Sequence, residues 1–75
     1  MYTNYNKNIT HSFTVGELVS YRTQSWHPLE NWIVTKATFY HGHSGYADRW
    51  ELRLVSVATG RETKTTGDLV DLVTA

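Results

Sequence analysis

The feature that most constrains this fold is the run of residues 31–40, which carries bulky side chains on both of its alternating faces. As a strand, it has Ile33, Thr35, Ala37 and Phe39 on one face and Trp32, Val34, Lys36, Thr38 and Tyr40 on the other. A strand at the surface of a sheet needs apolar groups on one face alone. Because both faces carry them, the pattern predicts a long bent strand shared between two sheets that pack at right angles.

The core must be economical, because a chain of 75 residues buries only roughly 60% of the surface that it exposes when unfolded. The sequence contains no cysteine, which excludes disulfide scaffolds, thiol catalysis and cysteine-ligated zinc. Three Trp, five Tyr and two Phe residues stand among many Val and Thr residues, and this composition favours strands. The sequence therefore predicts one small all-β domain.

Turn and alternation signals divide the chain into strands. Gly16 and Gly60 mark tight turns that use a left-handed backbone. The alternation breaks near Leu54 and Val55, where the apolar residues switch from one face of the strand to the other, and this predicts a bulge or sharp bend. The predicted strands are 18–22, 31–40, 50–57 and 61–66, followed by a short helical turn and a last strand within 68–73. We expect a small, five-stranded, strongly bent antiparallel barrel.

Polarity sets the expected domain boundary and location. Residues 1–11 are polar and aperiodic, which predicts a flexible N-terminal tail before a single domain at residues 12–75. No segment has the roughly 20 apolar residues that span a bilayer, and the first residues lack the apolar region of a signal peptide. The expected location is therefore the cytoplasm. The formal charge is zero, so no strong attraction to nucleic acid or anionic membrane is predicted.

The segment Phe13-Thr14-Val15-Gly16-Glu17-Leu18-Val19 resembles the opening of Tudor and KOW-type domains, which belong to the SH3-like class of small barrels. Residues 50–72 resemble the back half of such barrels, where a tight hairpin precedes a short helical turn and a final strand. The resemblance implies an SH3-like barrel whose partner groove is flanked by loops 23–30 and 41–48. Free-standing barrels of this size also resemble accessory proteins of bacteriophages and mobile elements.

Aromatic side chains in and beside these loops are the predicted partner-binding residues. Bulky rings at loop positions bury a large area at little conformational cost. We expect Trp26 to be exposed because polar residues flank it, whereas Trp32, Phe39 and Trp50 lie within strands and are also candidates for the core. The predicted partner-binding set is Trp26, His27, Tyr40, His43, Tyr46 and Trp50.

The same loops also admit more specific chemistry. A minority of Tudor-like domains hold a methylated cation in an aromatic cage of several rings and an acidic group, and Trp26, Tyr46 and Asp48 could supply these groups here. His41 and His43 have a spacing seen among zinc ligands, but no third and fourth ligand can be placed, so solvated histidines are the favoured interpretation. Ser44 lies beside His43 and near Asp48, yet catalytic triads are built from rigid, separated elements. The sequence predicts no metal site, no cofactor and no enzymatic activity.

A modest basic strip is the main alternative site. Arg53, Arg61 and Lys64 lie on neighbouring strands if the predicted hairpin forms, and such a strip can contact phosphates. Glu51 and Glu62 interleave with these cations, which favours cross-strand ion pairs on a solvated face.

Three functions follow from these sites. The leading hypothesis is a non-catalytic protein-interaction module, a small regulator or inhibitor that docks on a larger protein through its two aromatic-tipped loops. The second is a nucleic-acid-binding barrel that uses the basic strip and aromatic stacking. The third is a structural or homodimeric subunit that buries the second apolar face of the Trp32 strand. The balanced charge favours a protein over a nucleic acid as the partner.

Overall fold

Five antiparallel strands and a short 3-10 turn form the fold in the computed structural model, which describes residues 8–45 and 47–73. The elements are β1 (Leu18–Tyr21), β2 (Glu30–Tyr40), β3 (Arg49–Ser56), β4 (Glu62–Thr66), the 3-10 turn Gly67–Leu69 and β5 (Asp71–Leu72). The prediction of an all-β chain with five antiparallel strands is confirmed. No helix in the described ranges is long and apolar enough to cross a membrane.

The strands form one open sheet in the order β4-β3-β2-β1-β5, and not the closed barrel that the sequence predicted. β4 and β5 are the two edges, and within the described residues they do not pair with each other. β5 pairs with β1 only through Val19 opposite Leu72 and Ser20 opposite Asp71.

β2 carries a bulge between Val34 and Lys36. Val34 lies opposite Leu54 of β3 and Lys36 lies opposite Arg53, so Thr35 is an extra residue without a partner across the strand. The Thr35 hydroxyl donates a hydrogen bond to the carbonyl oxygen of Arg53, at 3.3 Å. An extra residue of this kind bends the strand and shifts its alternation by one position.

The bulge explains why both faces of residues 31–40 carry apolar groups. Trp32 and Val34 are buried before it, and after it Ala37 and Phe39 turn to the same inner side of the sheet, opposite residues 52 and 50 of β3. The faces predicted from strict alternation are therefore wrong beyond Val34. The predicted bulge at Leu54–Val55 is also wrong, because β3 alternates regularly and the extra residue lies across from it in β2.

The core is a small cluster on the inner side of the sheet. Its buried members are Phe13, Val19, Trp32, Val34, Leu52, Leu54 and Val70. Trp32 is only 1% exposed, and its Nε1 donates to the carbonyl oxygen of Tyr21 at 3.1 Å. Burying one large apolar side chain contributes about 1.5–3 kcal/mol. A few such residues therefore stabilise a chain that has neither disulfides nor a large core.

The end of the predicted tail is attached to this core. Asn8 adopts a left-handed backbone with φ of 66°, and its Nδ2 donates to the carbonyl oxygens of Gly67 and Val70, each at 2.9 Å. His11 packs edge-on against the Phe13 ring, with the ring centroids 4.7 Å apart. The Asn8 hydrogen bonds thus join this segment to residues 67–70, and the His11 contact joins it to the core. Residues 1–7 of the predicted tail lie outside the described residues.

Candidate functional site

The two predicted partner loops lie at opposite ends of β2. Tyr21 pairs with Glu30, so the loop of residues 22–29 lies at the start of β2. Tyr40 pairs with Arg49, so the loop of residues 41–48 lies at its end. The eleven residues of β2 separate the two loops. Each loop is therefore a separate surface, and this register provides no common groove between them.

Trp26 is the most exposed large apolar residue among those described, with 76% of its surface accessible. Its loop is fixed by short-range hydrogen bonds. Thr23 Oγ1 and His27 Nδ1 are 2.8 Å apart, and the His27 amide donates to the carbonyl oxygen of Gln24 at 3.0 Å. The His27 ring lies edge-on to the Trp26 indole, with the centroids 5.9 Å apart. The loop thus holds Trp26 and His27 together at one end of the sheet.

At the other end of β2, the described residue Tyr40 is less exposed than Trp26. Tyr40 is 41% exposed, and the Arg49 guanidinium carbon lies 4.7 Å from the centre of its ring. His43 is exposed, in a turn where Ser44 has a positive φ of 50°. Tyr46 lies outside the described residues. Of the predicted residues at this end, Tyr40 and His43 are accessible to a partner.

Trp50, also predicted to bind a partner, packs against the core. Its ring meets Phe13 at 5.5 Å and Phe39 at 5.1 Å between centroids, in edge-to-face geometry. The residue is half-buried, and its Nε1 has no hydrogen-bond partner among the described residues. Regular alternation in β3 places it on the inner face with Leu52 and Leu54. Its main contribution is therefore to packing.

Asp48 forms a hydrogen bond within the loop of residues 41–48. Asp48 Oδ1 accepts a hydrogen bond from the Gly42 amide at 2.6 Å, and the His41 ring packs edge-on to Phe39 at 4.9 Å. Among the residues described, no three His, Asp or Glu side chains gather as a metal site would require. Trp26 and Asp48 also lie at opposite ends of β2, so this register does not assemble the predicted cage.

The structure changes which residues form the predicted basic strip. Arg53 and Lys64 lie directly opposite each other on β3 and β4, as predicted. Arg61 precedes β4 and is three positions from Lys64, so alternation directs it to the opposite face. Lys36 of β2 lies directly opposite Arg53 on its other side. The strip is therefore a row of three cations across three strands, Lys36, Arg53 and Lys64, which we call the basic row.

Lys36 was missed because strict alternation assigns it to the face of Trp32 and Val34. The bulge at Thr35 moves it to the outer face. One signal could have revealed this: a lysine is costly to bury, so its place on an otherwise apolar face indicates that the alternation breaks just before it.

A depression of about 410 Å³ adjoins the basic row. Its lining comprises Lys36, Arg53 and Lys64 with Thr38, Tyr40, Glu51, Leu52, Thr65 and Thr66. The cross-strand ion pairs expected of Glu51 and Glu62 do not form in the described structure. Glu51 instead accepts from Arg49 Nε at 3.1 Å, and Glu62 lies opposite Val55, two positions from Lys64. The arrangement can hold an anionic group against several cations and hydroxyls.

No family model matches this chain, and neither the curated proteins nor the solved structures include one with significant similarity to it.

Proposed function

We propose that this chain is a non-catalytic protein-interaction domain that docks on a larger protein through the loop of residues 22–29. The observation that supports this is the exposure of Trp26, at 76%. Leu29 in the same loop is 51% exposed, and Val57 in the β3–β4 hairpin is 60% exposed. The Val57 amide donates to the carbonyl oxygen of Asn31, so this hairpin lies beside the loop. Apolar groups clustered at one end of a small domain are typical of an interaction surface.

The loop is suited to docking because it is already ordered. The hydrogen bonds between Thr23 and His27, and between the backbones of His27 and Gln24, hold its turn. A partner therefore does not need to order the loop, which reduces the entropic cost of binding. A Trp side chain buries roughly 150–250 Å² on docking, and such residues commonly contribute about 2 kcal/mol or more to an interface.

The proposal is of binding without catalysis. The predicted combination of His43, Ser44 and Asp48 lies within one loop, where Asp48 accepts from the Gly42 amide. Groups that transfer protons must be held by rigid elements within hydrogen-bond reach of a substrate. A role as a small regulator or inhibitor of a larger protein fits a domain that offers one ordered apolar tip.

We also propose kinship with the small barrels of the SH3-like class, including those of phages and mobile elements. The strand order β4-β3-β2-β1-β5 and the 3-10 turn before the last strand support this kinship. The fold is compatible with a small barrel whose edge strands are left unpaired. The kinship concerns the fold and does not identify the partner.

The homodimer hypothesis stays a prediction. It required a second apolar face on β2, and beyond the bulge Ala37 and Phe39 turn to the same side as Trp32 and Val34, which leaves Ile33 on the outer face, opposite Leu18 and Val55. Self-association is therefore an outcome to test and not the favoured function.

The test is affinity capture from source cells with the full chain and two variants, Trp26→Ala and Val15→Ala. Val15 is 70% exposed and lies outside the loop, so it is the matched control. We expect a stoichiometric protein partner with the wild type and Val15→Ala, and at least a 30-fold loss of affinity, about 2 kcal/mol, with Trp26→Ala. A partner that binds Trp26→Ala unchanged would overturn the proposal, as would capture of the chain's own copies alone.

A further inference from the structure

We propose that the basic row is a second binding site, which takes the phosphate backbone of a single-stranded nucleic acid. This site lies on the outer face of β2, β3 and β4 and is separate from the Trp26 loop. It goes beyond the proposed protein-docking function and does not depend on it.

The first observation is the register. Lys36, Arg53 and Lys64 are direct cross-strand partners on three adjacent strands, so their side chains project from the same face. All three are exposed. Leu52 and Leu54, on either side of Arg53, are buried, so this face is the solvent side of the sheet. Neighbouring strands lie about 4.8 Å apart, so the three cations span roughly 10 Å.

The second observation is that no described acidic residue forms an ion pair with these cations. Among the described residues, the Arg49 side chain pairs with Glu51 and the His11 ring with the Glu17 carboxyl group, and neither contact involves the row. Glu51 is the carboxylate on the adjacent cross-strand row, and Arg49 holds it. Glu62 lies on the other side of the row, opposite Val55. The row and Arg49 together carry two more positive charges than these two carboxylates supply.

The third observation is the shape and lining of the depression. The depression has a volume of about 410 Å³ and lies beside all three cations of the row. Thr38 and Thr66 lie opposite Glu51 on the neighbouring strands and add hydroxyl groups beside the cations. Tyr40 lines the same depression; it is 41% exposed, and the Arg49 guanidinium lies over its ring. Cations that track a backbone beside an aromatic ring are the combination that binds single strands without sequence readout.

A single strand fits this surface better than a duplex does. The row lies across three adjacent strands of the sheet, and the described residues include no α-helix that could enter a groove. An acidic peptide would meet the same cations, but it lacks bases to place against Tyr40. Phosphate contacts with base stacking thus distinguish the proposed ligand from other polyanions.

The bulge is what creates the site. Without the shift at Thr35, Lys36 would share the face of Trp32 and Val34, and the row would lose one of its three strands. The Thr35 hydroxyl bonds to the Arg53 carbonyl oxygen, so the bulge is fixed to the central residue of the row.

The test is fluorescence anisotropy with a labelled oligothymidylate of about 12 nucleotides, titrated with the full chain at low and physiological salt. The variants are Lys36→Gln, Arg53→Gln and Lys64→Gln. Arg61→Gln is the control, because it removes the same charge from an exposed position outside the row. Thermal unfolding of each variant checks that it folds. If one row variant fails to fold, the other two still test the site, because they alter different strands.

We expect each row variant to bind about tenfold more weakly and to lower the salt slope by about one. Arg61→Gln should bind within about twofold of the wild type, and Trp26→Ala should keep its oligonucleotide affinity, which separates this site from the proposed docking loop. Any one of four results overturns the proposal: no binding at low salt, equal weakening by Arg61→Gln, equal or tighter binding of a duplex, or equal competition by polyglutamate.

Discussion

Replacing Gly67 with alanine tests how closely Phe13 and Trp50 pack against the 3-10 turn. A Cβ at this position would lie 2.8 Å from Phe13 Cε2 and 3.0 Å from Trp50 Cβ. The first distance is about 0.7 Å inside the roughly 3.5 Å at which carbon atoms normally meet. Gly67 lies in a 3-10 turn and is not among the glycines with positive φ. The backbone therefore tolerates alanine, and steric overlap is the effect that remains.

The neighbours cannot move away easily. Phe13 is 4% exposed, and its ring is held between His11 at 4.7 Å and Trp50 at 5.5 Å. Overpacking of this kind costs about 1–3 kcal/mol. A domain of this length has a total stability of only about 4–11 kcal/mol. We therefore expect Gly67→Ala to lower the melting temperature by about 4–24 °C.

The assay is denaturant unfolding of Gly67→Ala, Phe13→Leu and the double variant, compared as a cycle. Leucine at position 13 makes room for the new methyl group, so the double variant should be less destabilised than the sum of the single ones, by at least about 0.5 kcal/mol. Gly60→Ala is the control: its Cβ would meet no atom within 4 Å, but its φ of +78° makes alanine strained. That strain should add to Phe13→Leu without coupling. Full stability of Gly67→Ala, or an additive cycle, would refute the reasoning.

Two further predictions concern buried polar groups. Trp32→Phe removes the Nε1–H that donates to the Tyr21 carbonyl oxygen and leaves a small cavity, so the free energy of unfolding measured in urea should fall by about 2–4 kcal/mol. The control is Trp26→Phe at an exposed site, which should change that free energy by less than about 0.5 kcal/mol. Equal effects of the two variants would contradict the assignment of Trp32 to the core and Trp26 to the surface. Ser56 is 4% exposed and its Oγ accepts from two backbone amides of the β3–β4 hairpin, each at 3.2 Å, so Ser56→Ala should cost about 1–3 kcal/mol. Thr59→Ala removes an exposed acceptor in the same hairpin and should cost less; if both variants melt alike, the buried network contributes nothing.

Local patterns were sufficient for the secondary structure. Alternating apolar residues gave β1 to β4 to within a few residues, and the turns at Gly16 and Gly60 have the predicted left-handed φ, at 96° and 78°. The exposure of Trp26 also followed from its polar neighbours. These features depend on residues a few positions apart, whose preferences act before any long-range contact forms.

Contacts between residues far apart in the sequence determined features that the alternation of apolar residues does not predict. Asn8 reaches the carbonyl oxygens of Gly67 and Val70, and a contact between the two ends of the chain leaves no local pattern. The position of the bulge was likewise set by pairing: the irregularity predicted at Leu54–Val55 lies instead across the ladder, at Thr35.

By itself, the sequence determined a small all-β domain, its strands, and the side chains with chemistry to offer. The tertiary structure alone decided which of them meet. It placed the two aromatic-tipped loops at opposite ends of β2, and the bulge brought Lys36 into register with Arg53 and Lys64. The physical reason is the period of two in a β-strand: one extra residue reverses every following side chain, and only the ladder to the neighbouring strand fixes where that residue goes.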